Sequence, residues 1–359
     1  MTGIATLTQT TQQIQQLKTL QTSLADYQRQ LASGKKAKVY SDLGRDVLTS
    51  QRARADGKKL DTYLYNIDIA EFRMEQMSNA ITEIQTQSKL LHNGMVNQTQ
   101  AGDVELDTMA PLASNIRGFM EDLLNIQDGD RYLFAGADTS NKPLDLSGGL
   151  DAFVGGQISD WIDGTIDTDT LISNYKDRDV LDDTTIGYST TLSNGTTRNA
   201  SVRVGDTAEI DYTTLANSEP MRDVLVISTM IMELDAQLDK TTLDEGDLPS
   251  DFTTAPGSTA EEQGNNFSEL YIDLKNRLQN ALDGMDDEIF NLTNAQLQTG
   301  ERKEDLKFDR SILQEQVDNV ENADMAEVAL NLSLLQTQLE ASYSVTASVN
   351  RISLVNFLS

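Results

Sequence analysis

The chain has 359 residues, 57 of them acidic and 28 basic, for a net charge of −29, and no cysteine. Such a charge argues against nucleic acid as a partner, because phosphate binding needs a surplus of Lys and Arg. The missing thiols exclude disulfides, cysteine metal sites and cysteine nucleophiles. The charge is also uneven. Residues 1–60 hold ten Lys or Arg against four Asp or Glu, while residues 101–260 hold nine against thirty. The middle is expected to be acidic and solvated, the N-terminal arm mildly basic. No apolar run approaches a membrane span, so no membrane partner is expected. MTGIATLTQTTQQIQQL lacks the basic start and apolar block of a cleavable signal peptide. The chain is expected either to stay inside the cell or to leave by a route that reads no such signal.

Residues 4–33 read as a helix with the seam Ile14, Leu17, Leu20, Leu24, Tyr27 and Leu31. Ser33-Gly34 ends it, Gly being the usual left-handed stop. The basic loop Lys35-Lys36-Ala37-Lys38 follows. A second helix is expected from near Ser41-Asp42 to about Thr99. Its seam is Ile67, Met74, Met77, Ile81, Ile84, Ser88, Leu91 and Met95, too long for an ordinary globular helix and suited to a coiled-coil hairpin. A third helix spans roughly 106–126, with Met109, Leu112, Ile116, Phe119, Leu123 and Ile126 on one face.

The period then changes. Residues 131–136 look strand-like, and Gly, Asp, Thr and Ser dominate to about Thr207. Asn194-Gly195 is a hairpin signal between strands expected at 188–192 and 200–204. Pro220 opens another helix with Val224, Ile227, Ile231, Leu234 and Leu238 on one face. Residues 240–263 read as an acidic loop, and the helical pattern returns from Phe267.

The last stretch carries a second narrow seam. Met325, Val328, Leu332, Leu335 and Leu339 advance in steps of three and four, small Ser342 and Thr346 continue the row, and Val349 and Ile352 resume it. The chain closes on an apolar segment that includes Leu358. Neither end has a complete core of its own, so the two ends are expected to pair. The expected fold is mainly α with a β-rich insertion: a long antiparallel helical coiled-coil rod built from both termini, plus a small outer β-rich domain. The expected divisions are 1–128 and 264–359 for the rod halves, 129–218 for the outer domain, and 219–263 for a helix and acidic loop leading back.

Several segments resemble the bacterial flagellin superfamily. Gln30-Leu31-Ala32-Ser33-Gly34-Lys35-Lys36 is similar to its R-L-S-S-G-x-R/K segment. Ser41-Asp42-Leu43-Gly44 departs from its usual paired acids. Glu321-Asn322-Ala323-Asp324-Met325-Ala326-Glu327 is similar to the motif that opens its last helix. Within the superfamily, residues 335–343, residues 352–358 and Asp130-Arg131-Tyr132-Leu133-Phe134-Ala135-Gly136 with Pro143 look like the hook–filament junction proteins. The resemblance covers about the first 145 and last 90 residues. It implies a structural, non-enzymatic subunit of the extracellular flagellum, exported through the flagellar type III channel. The implied partners are other copies in a ring, flagellin, the first hook-associated protein of the hook tip and an export chaperone. The seam residues Leu17, Leu24, Leu31, Met325, Val328, Leu332, Leu335, Leu339, Val349, Ile352 and Leu358 would be its assembly interface. A true flagellin is the first rival reading. A surface carbohydrate- or calcium-binding protein, or a hydrolase, is the second.

Chemistry weighs little against this. His92, the single histidine, lies beside Leu91 in a helical seam, and no G-x-S-x-G occurs. Ser33-Gly34-Lys35-Lys36 fails the phosphate-loop pattern, because position 29 is Arg and position 36 is Lys. Lys35, Lys36 and Lys38 are candidates for pairing with acids of a neighbouring subunit. Asp160, Asp163, Asp167 and Asp169 invite a calcium site, but Leu171 and Ile172 break the EF-hand template. Trp161 is the only aromatic platform of its size. No cofactor is expected.

Overall fold

The structure, a computed structural model, describes the backbone of residues 2–101, 104–238, 256–257 and 259–358. It describes the side chains of these residues except 2–10, 101, 260 and 349–358. In chain order the elements are α1 (Thr2–Ser33), α2 (Val47–Ala101), α3 (Leu106–Leu124), β1 (Gln127–Asp128), β2 (Arg131–Tyr132), α4 (Leu150–Ile162), α5 (Thr168–Lys176), α6 (Asp183–Ile186) and α7 (Thr190–Ser193). Then come β3 (Ser201–Arg203), β4 (Glu209–Asp211), α8 (Glu219–Gln237), α9 (Ala260–Glu321) and α10 (Met325–Leu358). The fold is mainly α, with long helices packed on one another. Two antiparallel two-stranded sheets, β1–β2 and β3–β4, are the sheet content of the described residues. The acidic loop expected at 240–263 lies outside the described residues through residue 255.

The chain forms two compact units. One joins Met1–Thr62 with Asp305–Ser359, and the other is Tyr63–Glu304. In the second unit the seam of α2 is its buried face: Ile67, Met74, Met77, Ile81, Ile84, Ser88, Leu91 and Met95 are all 0–1% exposed. Gln98, Gln85 and Glu71 of α2 bond in turn to Tyr271, to Leu282 and Asp286, and to Lys303 of α9, so these stretches run antiparallel. Around α8 the packing comes from α3 and α4. α8 is buried on every side, from Met221 to Leu234. An apolar helix without a polar face is a core helix, so the one-sided seam expected for it is only part of its contact surface.

Four other local expectations change. α3 buries Met109, Ala113, Ile116, Met120 and Leu124, with Phe119 44% exposed. Its packed face is therefore rotated about one residue from the expected row, with Ala113 in place of Leu112. The strand expected at 188–192 is helix α7, capped by the Ser189 hydroxyl. Asn194-Gly195 terminates that helix, with Gly195 at φ 61°, instead of turning a hairpin. An Asn-Gly pair serves either purpose, since both need a left-handed residue. α9 starts at Ala260, before Phe267. At the other end of the chain, a 3₁₀ segment Tyr40–Asp46 with non-helical Gly44 precedes α2, which delays the helix to Val47.

The Tyr132–Gly136 run passes from β2 into a buried 3₁₀ turn of Leu133, Phe134 and Ala135. Gly136 has φ 64°, and a Cβ there would lie 2.2 Å from Thr197 Cγ2. Any side chain would need both a strained backbone and a displaced neighbour. The motif is thus a structural corner of the second unit.

Burial pushes the Glu288 carboxyl up to about 7, only partly offset by the hydrogen bond from the Ser218 hydroxyl. A folded-state value above the unfolded one means the native chain binds the extra proton. This stabilising contribution is complete below about pH 4.5 and is lost as pH rises through about 7. Glu288→Gln is therefore expected to be more stable than wild type by about 1–3 kcal/mol at pH 8, and to converge with it near pH 4. Thermal unfolding across that range checks it; a constant difference would place the carboxyl in solvent.

Candidate assembly interface

α1 and α10 pack against each other antiparallel, with Gln21 Nε2 donating to Tyr343 Oη at 2.8 Å. On α10, Val328 and Leu339 are buried at 4% and 6% exposure, and Leu332, Leu335, Ser342 and Thr346 are half-buried. On α1, Leu17, Leu20, Leu24 and Tyr27 are half-buried. The structure thus brings the two expected seams into one unit. Leu31 and Met325, at 40% and 44%, lie at its exposed edge. Val349, Ile352 and Leu358 fall within α10, but their side chains lie outside those described.

The pairing uses one side of α10 only. Leu330, Leu334 and Val345 are 62%, 53% and 55% exposed, in a row on the far side of the helix from Leu339. Ile14 of α1 is 62% exposed. A helix apolar around its circumference is normally covered on all sides. In the same unit α9 exposes Phe308 at 66%. Within the second unit, Phe290 and Leu297 of α9 and Tyr65 and Phe72 of α2 are exposed.

The joint between α9 and α10 is built from both terminal motifs. Gly34, at φ 68°, ends α1 as expected. Ala323 N then donates to Gly34 O at 2.9 Å and Lys36 N to Glu321 O at 2.8 Å, a small antiparallel bridge. Lys35 Nζ donates to Asn322 Oδ1 at 2.6 Å, and Lys36 Nζ to Asn319 O at 2.7 Å. Lys35 and Lys36 therefore bind their own chain; of the three lysines read as free for a neighbour, only Lys38 is not drawn into this joint. Glu321 is buried. It accepts from Arg54 Nε at 2.8 Å and Nη2 at 2.6 Å, and from the Ser50 hydroxyl. Asp324 Oδ1 accepts from Ala326 N and Glu327 N, capping α10. The Arg54 bonds, with Ser50 and Lys35, hold the Glu321 carboxyl down at about 2.

A depressed value makes the native state bind fewer protons, so this contribution is present above about pH 4.5 and lost as pH falls toward 2. Arg54 is half-exposed, which screens the pair. Glu321→Gln is expected to cost about 1–2 kcal/mol at pH 7 and almost nothing at pH 2.5, read from acid titration of helical circular dichroism. An equal loss at both pH values would contradict the ion-pair assignment.

The chemically suggestive residues are otherwise engaged. Trp161 is fully buried, and its Nε1 donates to Thr168 Oγ1 at 3.1 Å. It is a core residue and no sugar platform. Asp167 caps α5 through Thr170 N at 2.8 Å. Among the described residues no group of three or more His, Asp or Glu is placed to hold a metal ion. His92 is half-buried on α2, its pKa lowered by burial and by Lys275. No described helix is long and apolar enough to cross a membrane.

The sequence matches the bacterial flagellin N-terminal helical region over residues 4–139 and the bacterial flagellin C-terminal helical region over residues 276–358. The chain carries both flagellin terminal regions. The flagellin-type N-terminal match takes in α1 to β2 and ends just past Gly136, and the C-terminal match takes in most of α9 and all of α10. No curated protein matches the chain. Among solved structures, a Vibrio parahaemolyticus chain assigned as a flagellar hook-associated protein aligns at 12% identity, covering 77% of this chain and 100% of that one, with a TM-score of 0.43.

Proposed function

We propose that this protein is a non-enzymatic structural subunit of the bacterial flagellum that joins the hook to the filament. The observation that carries the assembly part is the half-covered α10. Its seam is closed by α1, while Leu330, Leu334 and Val345 stay exposed on a chain with flagellin-type ends. In this reading those residues pack against neighbouring copies, and the seam holds each subunit in the form that can do so. The junction role itself rests on the likeness of residues 335–343, 352–358 and 130–136 to junction proteins. The partners in this reading are other copies in a ring, flagellin, the first hook-associated protein and an export chaperone, outside the cell after flagellar export.

The test is electron microscopy of cells lacking the gene, with the medium assayed for flagellin. The expected result is hooks without filaments and flagellin shed into the medium. Shortened filaments still attached to hooks would favour a filament subunit, the second reading that flagellin-type ends support. Wholly normal flagella would overturn both.

A further inference from the structure

We propose that the cleft in the second unit between residues 66–73 of α2, β2 and β3 binds a small organic oxyanion, a carboxylate or a phosphate, that carries at least two negative charges. Such a site goes beyond the assembly role. The cleft has a volume of about 420 Å³, within the range of small-ligand sites.

The charge of the lining runs against that of the chain around it. Residues 101–260 hold thirty acids, and most cations there are paired with one. Arg117, Lys142, Lys176, Arg178 and Arg222 each lie 2.5–3.5 Å from a carboxylate oxygen. Among the described residues of this stretch, the cations without such a partner are Arg131, Arg198 and Arg203. Arg131 and Arg203 line the cleft together with Arg73, and no Asp or Glu lines it. The strand register explains why the two are unpaired. Arg131 lies opposite Asp128, but Asp128 Oδ2 accepts from Arg73 Nε at 2.7 Å. Arg203 lies opposite Glu209, whose Oε2 accepts from Ser201 Oγ at 3.3 Å instead. Backbone carbonyls fix Arg203: Nε donates to Gly205 O at 3.1 Å and Nη2 to Asp206 O. Its Nη1 and the whole guanidinium of Arg131 have no partner among the described residues. Both side chains are exposed, so a ligand reaches them from solvent.

Arginine forks bind carboxylate and phosphate oxygens in pairs, which sets the ligand class. Three guanidinium groups share the one carboxylate of Asp128, so a dianion is what neutralises the site. Asn66, on the same face of α2 as Arg73, adds an amide donor. Ile69 and the buried Val202 supply an apolar patch for a carbon skeleton. A metal cation would find no carboxylate in the lining. A neutral sugar would leave the arginines uncompensated.

Isothermal titration calorimetry on the full chain at low salt tests this, with citrate as the carboxylate probe and pyrophosphate as the phosphate probe. At least one is expected to bind with a Kd of about 0.1–1 mM, and the tighter of the two assigns the acid group. Arg131→Ala is expected to weaken that binding about tenfold, the loss of a charge-assisted hydrogen bond. Arg131 is exposed, so the variant should keep its thermal unfolding. Arg131→Lys keeps the charge and loses the fork, and should fall between. Arg45→Ala removes an equally exposed cation from the other unit and should leave binding unchanged. Three results would overturn the proposal: neither probe binds, Arg131→Ala binds like wild type, or Arg45→Ala weakens binding as much as Arg131→Ala does. Self-association that Arg131→Ala abolishes, with neither probe bound, would assign the cleft to carboxylates of a second copy instead.

Discussion

Leu339→Asp is expected to abolish incorporation into flagella while leaving the second unit folded. Leu339 is 6% exposed in the seam where α10 packs on α1. A carboxylate placed there either stays charged at a large desolvation cost or takes up a proton. A shift of about three pKa units for the second route corresponds to about 4 kcal/mol at neutral pH. The α1–α10 pair has little to set against that. Its described seam holds only Val328 and Leu339 fully buried, with Leu332 and Leu335 half-covered, and an isolated helix pair is marginal in water. The companion Leu335→Asp should act in the same direction, with a smaller cost because it is half-exposed. Leu334→Asp separates the two roles of the helix. Leu334 is 53% exposed, so the monomer should keep its helical signal and melting curve and still fail to incorporate, if the outer row meets a neighbour. Export and assembly are read by blotting sheared flagella and culture medium. Normal filaments from the Leu339→Asp strain would remove the seam from the interface. Normal filaments from Leu334→Asp alone would leave the seam and discard the outer row.

The parts legible in the sequence are those where burial has one simple period. α2 faces a partner with one side over many turns, so its eight-residue row from Ile67 to Met95 could be read directly. The pairing of the ends followed from two narrow seams, neither with anything else to bury. Where packing is two-sided, periodicity fails. α8 is enclosed, and one row of its apolar residues is indistinguishable in sequence from the others. The middle was harder for another reason. α6 and α7 are single turns fixed by side-chain caps from Asp182 and Ser189, and four residues are too few for a period. Ser, Thr and Asp in such numbers suggest loops and strands as readily as caps. The joint was half legible. Ser33-Gly34-Lys35-Lys36 and residues 321–327 stood out as motifs, but nothing in either says that Lys35 meets Asn322. Nor does the 321–327 motif say that Glu321 is the acid that Arg54 and Ser50 hold. The burial of Glu288 and Ser218 is likewise a product of tertiary packing.

Removing Asp223 should be the most damaging single change in the second unit. Arg277 Nη2 lies 2.5 Å from Asp223 Oδ1, both residues are buried, and the guanidinium sits 5.3 Å from the centre of the Tyr175 ring. Tyr175 in turn donates to Asp273, which also binds Lys176 Nζ at 2.6 Å. Three helices, α5, α8 and α9, are tied at this point by residues 54 and 98 positions apart in the chain. Asp223→Ala leaves the Arg277 cation buried with one ring face and no counter-charge. Breaking a buried pair from one side costs about 3–5 kcal/mol, against about zero when both charges give way to apolar residues of similar size. Asp223→Ala is therefore expected to lower the melting temperature by roughly 10 °C in a unit of this size. Asp223→Leu combined with Arg277→Met should recover most of that loss. If the double variant is no more stable than Asp223→Ala, the damage comes from lost shape and not from a stranded charge. If Asp223→Ala costs less than about 1 kcal/mol, water reaches Arg277 and the pair is a surface contact in energy, whatever its burial.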